Sequence, residues 1–133
     1  MPAALQAALD DLSLFPDRAD RVEALIEIGS EYKNFSPEEV PRNACTRIPG
    51  CESEVFFVSV PGSFGKEYRF AVDNPQGISA MALAVILQKA SGSPLEEVAA
   101  IPEDLVYRIF GNELSMGKSL GLTNMLKSLK VAV

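Results

Sequence analysis

Residues 55–72 read VFFVSVPGSFGKEYRFAV, and this stretch decides the fold. Two runs rich in β-branched and aromatic residues, 55–60 and 67–72, flank a segment, 61–65, that contains proline, serine and two glycines. Runs of this composition favour β-strands, and the short segment between them favours an antiparallel hairpin. Residues 78–90 are apolar on almost every helical face, which is typical of a helix buried against a sheet.

Helices are also predicted before the hairpin. Leucines at helical spacing indicate a first helix that ends near residues 14–16: Leu5, Leu9 and Leu12. A second helix, capped by Asp17 or Asp20, has a predicted buried stripe of Val22, Leu25, Ile26 and Gly29, with Glu23, Glu27 and Glu31 facing outward. Ser36 and Pro37 then favour one further helical turn.

The remaining segments complete an α+β pattern. Residues 41–50 carry loop-forming prolines, Asn43 and Gly50, with room for a short edge strand from Cys45 to Ile48. Prolines 94 and 102 favour two short helices, and a last helix is expected from Ser115, with a buried stripe of Leu122, Met125, Leu126 and Leu129. We therefore expect residues 1–133 to form a single domain, with a small antiparallel three-stranded sheet and helices packed mainly on one face.

Charge and hydropathy restrict the partners of this domain. The formal net charge is −6, and residues 1–54 hold 11 acidic and 5 basic side chains. An anionic surface repels phosphate backbones, so a nucleic-acid partner is not expected. No stretch reaches the roughly 18 apolar residues of a membrane span, and the first residues lack the pattern of an export signal. The sequence therefore predicts a cytoplasmic protein without a membrane partner, in which cysteines are thiols.

Histidine is absent, which removes Ser-His-Asp and Cys-His nucleophile pairs and histidine-based zinc sites. The intrinsically strong nucleophiles that are left are Cys45 and Cys51. Two thiolates fall short of the four ligands of a structural zinc site or an iron–sulfur cluster, so neither a metal nor a cofactor is expected.

Cys51 has the more informative setting of the two cysteines. It follows Pro49 and Gly50 and precedes the first strand, which predicts a tight turn at a sheet end. Glu52 and Glu54, if near the thiol, would raise its pKa, so no preformed thiolate is expected. From the residues by themselves, a reactive Cys51 and a Cys51 that packs as a small apolar side chain are both open, whereas packing is favoured for Cys45.

The segment Gly117-Lys118-Ser119 has the ending of a phosphate-binding loop. The motif also requires a glycine five residues before Gly117, where Asn112 stands, and a preceding strand. Nucleotide hydrolysis is therefore not expected.

Two motifs resemble the SufE family of sulfur-acceptor proteins. Residues 47–56, RIPGCESEVF, are similar to the family pattern Arg-Val-x-Gly-Cys-x-Ser-x-Val-Trp, and residues 114–122, LSMGKSLGL, are similar to Leu-Ser/Thr-x-x-Arg-x-x-Gly-Leu. Asp73 and Asn74 stand where the family has an Asp-Ser-Asp-like turn. Three residues depart from the usual pattern: Phe56 replaces tryptophan, Lys118 replaces arginine and Glu113 stands where histidine is frequent.

The resemblance implies a fold shared with IscU-type scaffold proteins and a role in sulfur transfer. Cys51 would receive a persulfide sulfur from a SufS-like cysteine desulfurase, raise its turnover, and pass the sulfur to a SufB-like scaffold complex for iron–sulfur cluster assembly. The chain would then be an activator and carrier rather than an independent enzyme. A silent interaction module with a structural Cys51, and a redox protein using Cys45 and Cys51, are the alternatives. The sequence does not fix the oligomeric state, for which a homodimer is one candidate.

Overall fold

A two-stranded antiparallel hairpin lies at the centre of the computed structural model, which describes residues 1–51, 54–111 and 116–132, apart from the side chains of residues 116–118. Strand β1 spans Val55–Gly62 and strand β2 spans Gly65–Val72. Val55 pairs with Val72 and Gly62 with Gly65, so the predicted hairpin is confirmed. Both strands extend beyond the prediction because the turn contracts to the two residues 63 and 64.

Helices flank the hairpin in the described parts of the chain. Their bounds are α1 Ala3–Ser13, α2 Arg18–Ser30, α3 Ile78–Gln88, α4 Leu95–Ala99, α5 Leu105–Phe110 and α6 Met116–Val131. The predicted start of the last helix, Ser115, lies outside the described residues. None of the described helices combines the length and hydropathy needed to cross a membrane.

The predicted third strand, Cys45 to Ile48, is wrong, because the described residues form a two-stranded sheet. Arg47 makes an isolated antiparallel bridge to Phe56 instead. The Asn43 side chain accepts hydrogen bonds from the backbone N–H groups of Cys45 and Thr46, which holds the chain before the bridge in a turn. On the other side of the bridge, Pro49 and Gly50 turn the chain away, with Gly50 at φ +79°. Pairing with β1 therefore extends in neither direction.

The two faces of the hairpin are covered differently. On one face Phe57, Tyr68 and Phe70 join the main core, where the Phe57 and Phe70 ring centroids are 4.7 Å apart. On the other face Phe56 and Ala71 form a small separate cluster with Val40. Phe56 is therefore buried away from the main core.

Side chains protect the free edge of β2. The backbone N–H of Tyr68 donates to the Ser91 hydroxyl at 3.0 Å, and that of Phe70 donates to the Gln88 side-chain oxygen at 3.0 Å. The N–H of Val72 donates to the Tyr32 hydroxyl at 2.9 Å. Outward-facing edge groups that are already bonded offer little to an added strand, so this edge is closed to sheet extension.

The predicted buried stripe of α2 is partly wrong. Leu25 and Gly29 are buried, but Val22 and Ile26 are 46% and 48% exposed. Helix α3 packs closely against α2 at Gly29, where an added Cβ would lie 3.3 Å from the Ile78 carbonyl oxygen. Leu25 and Gly29 therefore lie on the buried side of α2, and Val22 and Ile26 lie outside it. The three glutamates predicted to face outward are exposed, as expected.

Helices α3 and α6 supply much of the main core. Six of the eleven residues of α3 are buried, which confirms its prediction as a helix apolar on nearly every face. The predicted stripe of α6 is confirmed, with Leu122, Met125, Leu126 and Leu129 all buried. Its N-terminal half packs beside the turn that contains Cys51, as described below.

Arg42 links the segment before the Arg47–Phe56 bridge to Asp73, which follows β2. Its guanidinium donates to the carbonyl oxygens of Val40 at 2.6 Å and Phe35 at 2.5 Å, and lies 5.9 Å from the centre of the Phe56 ring. The same group forms a salt bridge of 3.0 Å with Asp73. The guanidinium of Arg42 also donates hydrogen bonds to the Asp73 carboxylate. These bonds, together with one from Asn34, lower the pKa of the Asp73 carboxyl.

Asp73→Asn is expected to lower the free energy of unfolding by about 1–3 kcal/mol at pH 7, the usual cost of losing hydrogen bonds to a charged group. Because the pKa of Asp73 is lower in the folded state, its stabilisation is complete above the unfolded value of about 3.9 and is lost as the pH falls through the folded value. Urea unfolding should show that the difference in free energy of unfolding between variant and wild type is smaller at pH 3 than at pH 7.

Asp104→Asn is the matched control for this prediction. Asp104 pairs with Arg108 at 3.0 Å, but both side chains are about half exposed. Such surface pairs contribute about 0–1 kcal/mol. An equal loss for Asp73→Asn at both pH values would contradict the assignment of the effect to the carboxylate.

Candidate functional site

Cys51 lies in a tight connection at the start of β1. The backbone N–H of Ile48 donates to the Val55 carbonyl at 2.9 Å, so the residues on either side of the segment that contains Cys51 are paired at the sheet edge. Residues 49–51 are called the Cys51 loop here. Gly50 has φ +79°, a conformation that side chains other than glycine rarely adopt. The prediction of a tight turn at a sheet end is thus confirmed.

Helix α6 forms the wall against which the Cys51 thiol rests. The thiol donates to the Gly121 carbonyl oxygen, with 3.4 Å between sulfur and oxygen. A Cβ added at Gly121 would lie 2.9 Å from the Cys51 Cα and 3.1 Å from its Sγ. Contacts this short between carbon and backbone atoms do not occur without a shift, so glycine is required here for the loop to lie on the helix.

Two further residues of α6 contact the Cys51 loop. A Cβ added at Gly50 would lie 3.1 Å from both the Leu120 Cγ and the Asn124 Nδ2. The Asn124 Nδ2 also donates to the Pro49 carbonyl oxygen at 2.8 Å. Leu120 itself is 55% exposed. Each residue of the loop therefore lies against at least one residue of α6 between Leu120 and Asn124.

The environment of the thiol keeps it protonated. Burial raises the pKa of Cys51 to about 11, and the positive charge of Arg47 offsets a part of that rise. The main cause of the raised Cys51 pKa is therefore burial, and not the neighbouring acids Glu52 and Glu54 considered from the sequence. Glu54 is exposed and lies 3.9 Å from Arg47, with which it pairs. Glu52 lies outside the described residues.

A family profile described as "SufE: Fe-S metabolism associated domain" matches residues 6–133. The chain belongs to the SufE family. Membership associates it with iron–sulfur metabolism. No curated protein matches the chain.

A solved structure shares the fold of this chain. The solution structure of a hypothetical protein from Thermus thermophilus is similar with a TM-score of 0.75, and the match covers 99% of this chain and 94% of that one. At 21% sequence identity, this likeness shows the fold and carries no functional information.

The second cysteine of this SufE-family protein lies in a different environment. Cys45 is exposed, whereas Cys51 is half-buried and packs against the main core. Both thiols are free. Cys45 belongs to the turn organised by Asn43, and its backbone N–H donates to the Asn43 side chain at 2.9 Å.

A metal site is not formed by the described residues, among which no three cysteine, aspartate or glutamate side chains converge. Residues 117–119, the segment that ends like a phosphate-binding loop, fall within helix α6. Glu113 and the Lys118 side chain, two of the three departures from the family pattern, lie outside what the structure describes.

Sequence reasoning singled out Cys51 but missed its contacts with α6. Gly121 belongs to the quoted Gly-Leu motif, yet no role followed from it because its partner is 70 residues away in the chain. Asn124 lies outside both motifs and carried no signal. A glycine in the interior of an amphipathic helix was the available clue, since glycine there costs about 0.5–1 kcal/mol relative to alanine and calls for a packing reason.

Proposed function

We propose that Cys51 accepts a sulfur atom from the persulfide of a cysteine desulfurase, stimulates that enzyme, and passes the sulfur to a scaffold complex for iron–sulfur cluster assembly. Membership of the SufE family supports the setting of this role. The single observation that carries the proposal is the position of Cys51, a half-buried thiol held in a glycine turn within the family's own motif.

The transfer is a thiol–disulfide type of exchange. The Cys51 thiolate attacks the outer sulfur of the donor's persulfide, a new S–S bond forms at Cys51, and the donor's S–S bond breaks. The donor cysteine leaves as a thiolate and takes up the proton that Cys51 gave away. One sulfur atom moves, and no external oxidant or reductant is required.

The resting state of the thiol suits a carrier more than a free nucleophile. With a pKa of about 11, Cys51 is almost entirely in the thiol form at pH 7. Attack on a donor therefore requires Cys51 to leave its contact with α6, where burial disfavours the charge. The same burial would shelter a bound persulfide from other thiols.

The proposal is tested by mapping the sulfur. We expect that incubation with a cysteine desulfurase and cysteine, followed by alkylation and peptide mass spectrometry, places one added sulfur atom on the peptide with Cys51. Cys45 is the internal control, because it is the more exposed thiol and would be modified first by non-specific sulfur. Added sulfur on Cys45 in place of Cys51 would contradict the proposal.

The alternative of a silent interaction module draws support from the half-buried, protonated thiol. In that case Cys51 would take up no sulfur and would stay unreactive toward alkylating reagents when the desulfurase is present. Reactivity that increases on addition of the desulfurase would reject the module.

A further inference from the structure

A side-chain hydrogen bond joins α6 to the Cys51 loop: the Asn124 Nδ2 donates to the Pro49 carbonyl oxygen at 2.8 Å. The two residues are 75 positions apart in the chain, so the bond exists only when the loop lies on the helix. The other contacts at this point, from Leu120 and Gly121, are steric or involve the thiol itself.

The Pro49 carbonyl belongs to the peptide that joins Pro49 to Gly50. The orientation of this peptide plane determines the direction in which the chain turns at Gly50. Gly50 is in the left-handed region and packs so tightly that an added Cβ would lie 3.1 Å from the Asn124 Nδ2. With this peptide fixed, the next residue, Cys51, is presented to the Gly121 carbonyl. Rotation of the peptide would turn the thiol away from the helix.

We propose that Asn124 is a positioning residue that holds the Cys51 loop closed on α6 and thereby shields the thiol in the free protein. The hydrogen bond lies at the exposed end of the contact, beside a groove lined by Pro49, Asn124, Lys127 and Ser128. A bond that water can replace contributes modestly, so it tunes the fraction of open loop without locking it.

A role of the closed Cys51 loop in sulfur transfer rests on the proposed function, but the closure can be tested in the free protein. The open fraction of the loop is measured as the rate at which Cys51 reacts with iodoacetamide, in a Cys45→Ser background that leaves Cys51 as the one thiol of the chain. We expect Asn124→Leu and Asn124→Ala to raise this rate about three- to tenfold at pH 7.5, the factor that a net hydrogen bond contributes to an equilibrium. The midpoint of the rate against pH should move below that of the parent protein.

Two controls separate a positioning role from a packing role. Leucine has nearly the shape of asparagine but donates no hydrogen bond, so a role in packing would leave Asn124→Leu like the parent and raise the rate for Asn124→Ala alone. Ser128→Ala removes a hydroxyl from the same groove one turn further along α6 and should leave the rate unchanged. The acceleration should also persist at low urea concentrations without rising with urea, because a local opening exposes little surface.

The outcomes for this inference and for the proposed function are distinguishable. An Asn124→Leu rate equal to that of the parent would overturn the positioning role even if sulfur is found on Cys51. A faster rate with no sulfur on Cys51 after treatment with desulfurase and cysteine would support the positioning role and reject the proposed function. A rise for Ser128→Ala equal to that for Asn124→Leu would assign the effect to the groove in general and overturn the role of Asn124.

Discussion

Cys51→Ser is expected to abolish the stimulation of a cysteine desulfurase and to leave the free energy of unfolding within about 1 kcal/mol of wild type. A serine hydroxyl can still donate to the Gly121 carbonyl that the thiol contacts at 3.4 Å, so the closed loop is retained. An oxygen nucleophile of ordinary pKa does not attack the outer sulfur of a persulfide and forms no carrier intermediate. The desulfurase rate at saturating cysteine, with and without the variant, measures the effect.

Cys45→Ser is the matched control for the loss of stimulation. Cys45 is exposed and lies in the turn held by the Asn43 side chain, away from the contacts that α6 makes with Cys51. It is expected to stimulate like wild type, which would also exclude a mechanism that needs both thiols. Full stimulation by folded Cys51→Ser would sink the carrier role and favour the interaction module.

Gly121→Ala is expected to open the Cys51 loop in the free protein. The added Cβ would lie 2.9 Å from the Cys51 Cα and 3.0 Å from the Gly50 carbonyl oxygen, both of them backbone atoms. Overpacking of this kind costs about 1–3 kcal/mol, and if the loop moves away to relieve it, the open population rises about five- to 150-fold. The iodoacetamide rate of Cys51, in the Cys45→Ser background, should rise by a similar factor.

Gly29→Ala provides a matched glycine control, because it also places alanine in a helix interior. Its Cβ would lie 3.3 Å from the Ile78 carbonyl, at the contact of α2 with α3 and not at the Cys51 loop. It should leave the reactivity of Cys51 unchanged. If Gly121→Ala lowers the melting temperature without changing the reactivity of Cys51, then the helix has moved and the loop has stayed closed, which would contradict the expectation.

The sequence predicted correctly those elements that depend on residues close together in the chain. The hairpin at 55–72 follows from strand-forming composition and a turn, and the stripe of α6 follows from helical spacing, so both are confirmed. The edge strand at Cys45 to Ile48 is wrong because a strand needs continuous pairing, and the Asn43 turn and Gly50 limit it to one bridge. Residues 1–133 as one domain and a cytoplasmic location stay predictions.

At the candidate site, too, the sequence indicated the local features and missed those that depend on packing. The resemblance to the SufE motif around Gly50 pointed to Cys51 as the candidate acceptor, and the glycine turn before a strand followed from neighbouring positions. The acids beside Cys51 suggested a reason for a raised pKa, but the structure gives burial as the main cause. Burial depends on what packs against the thiol, which adjacent residues do not reveal.

The sequence by itself determined the α+β class, the hairpin and the buried stripe of α6, and its resemblance to the SufE motif pointed to Cys51 as the candidate acceptor. The first three features are set by local propensity and spacing. The tertiary structure decided that Gly121 and Asn124, 70 and 75 residues from their partners, close the Cys51 loop. Such contacts arise when packing of the core brings α6 against the sheet end, and no pattern in the nearby sequence encodes the distance between two distant backbones.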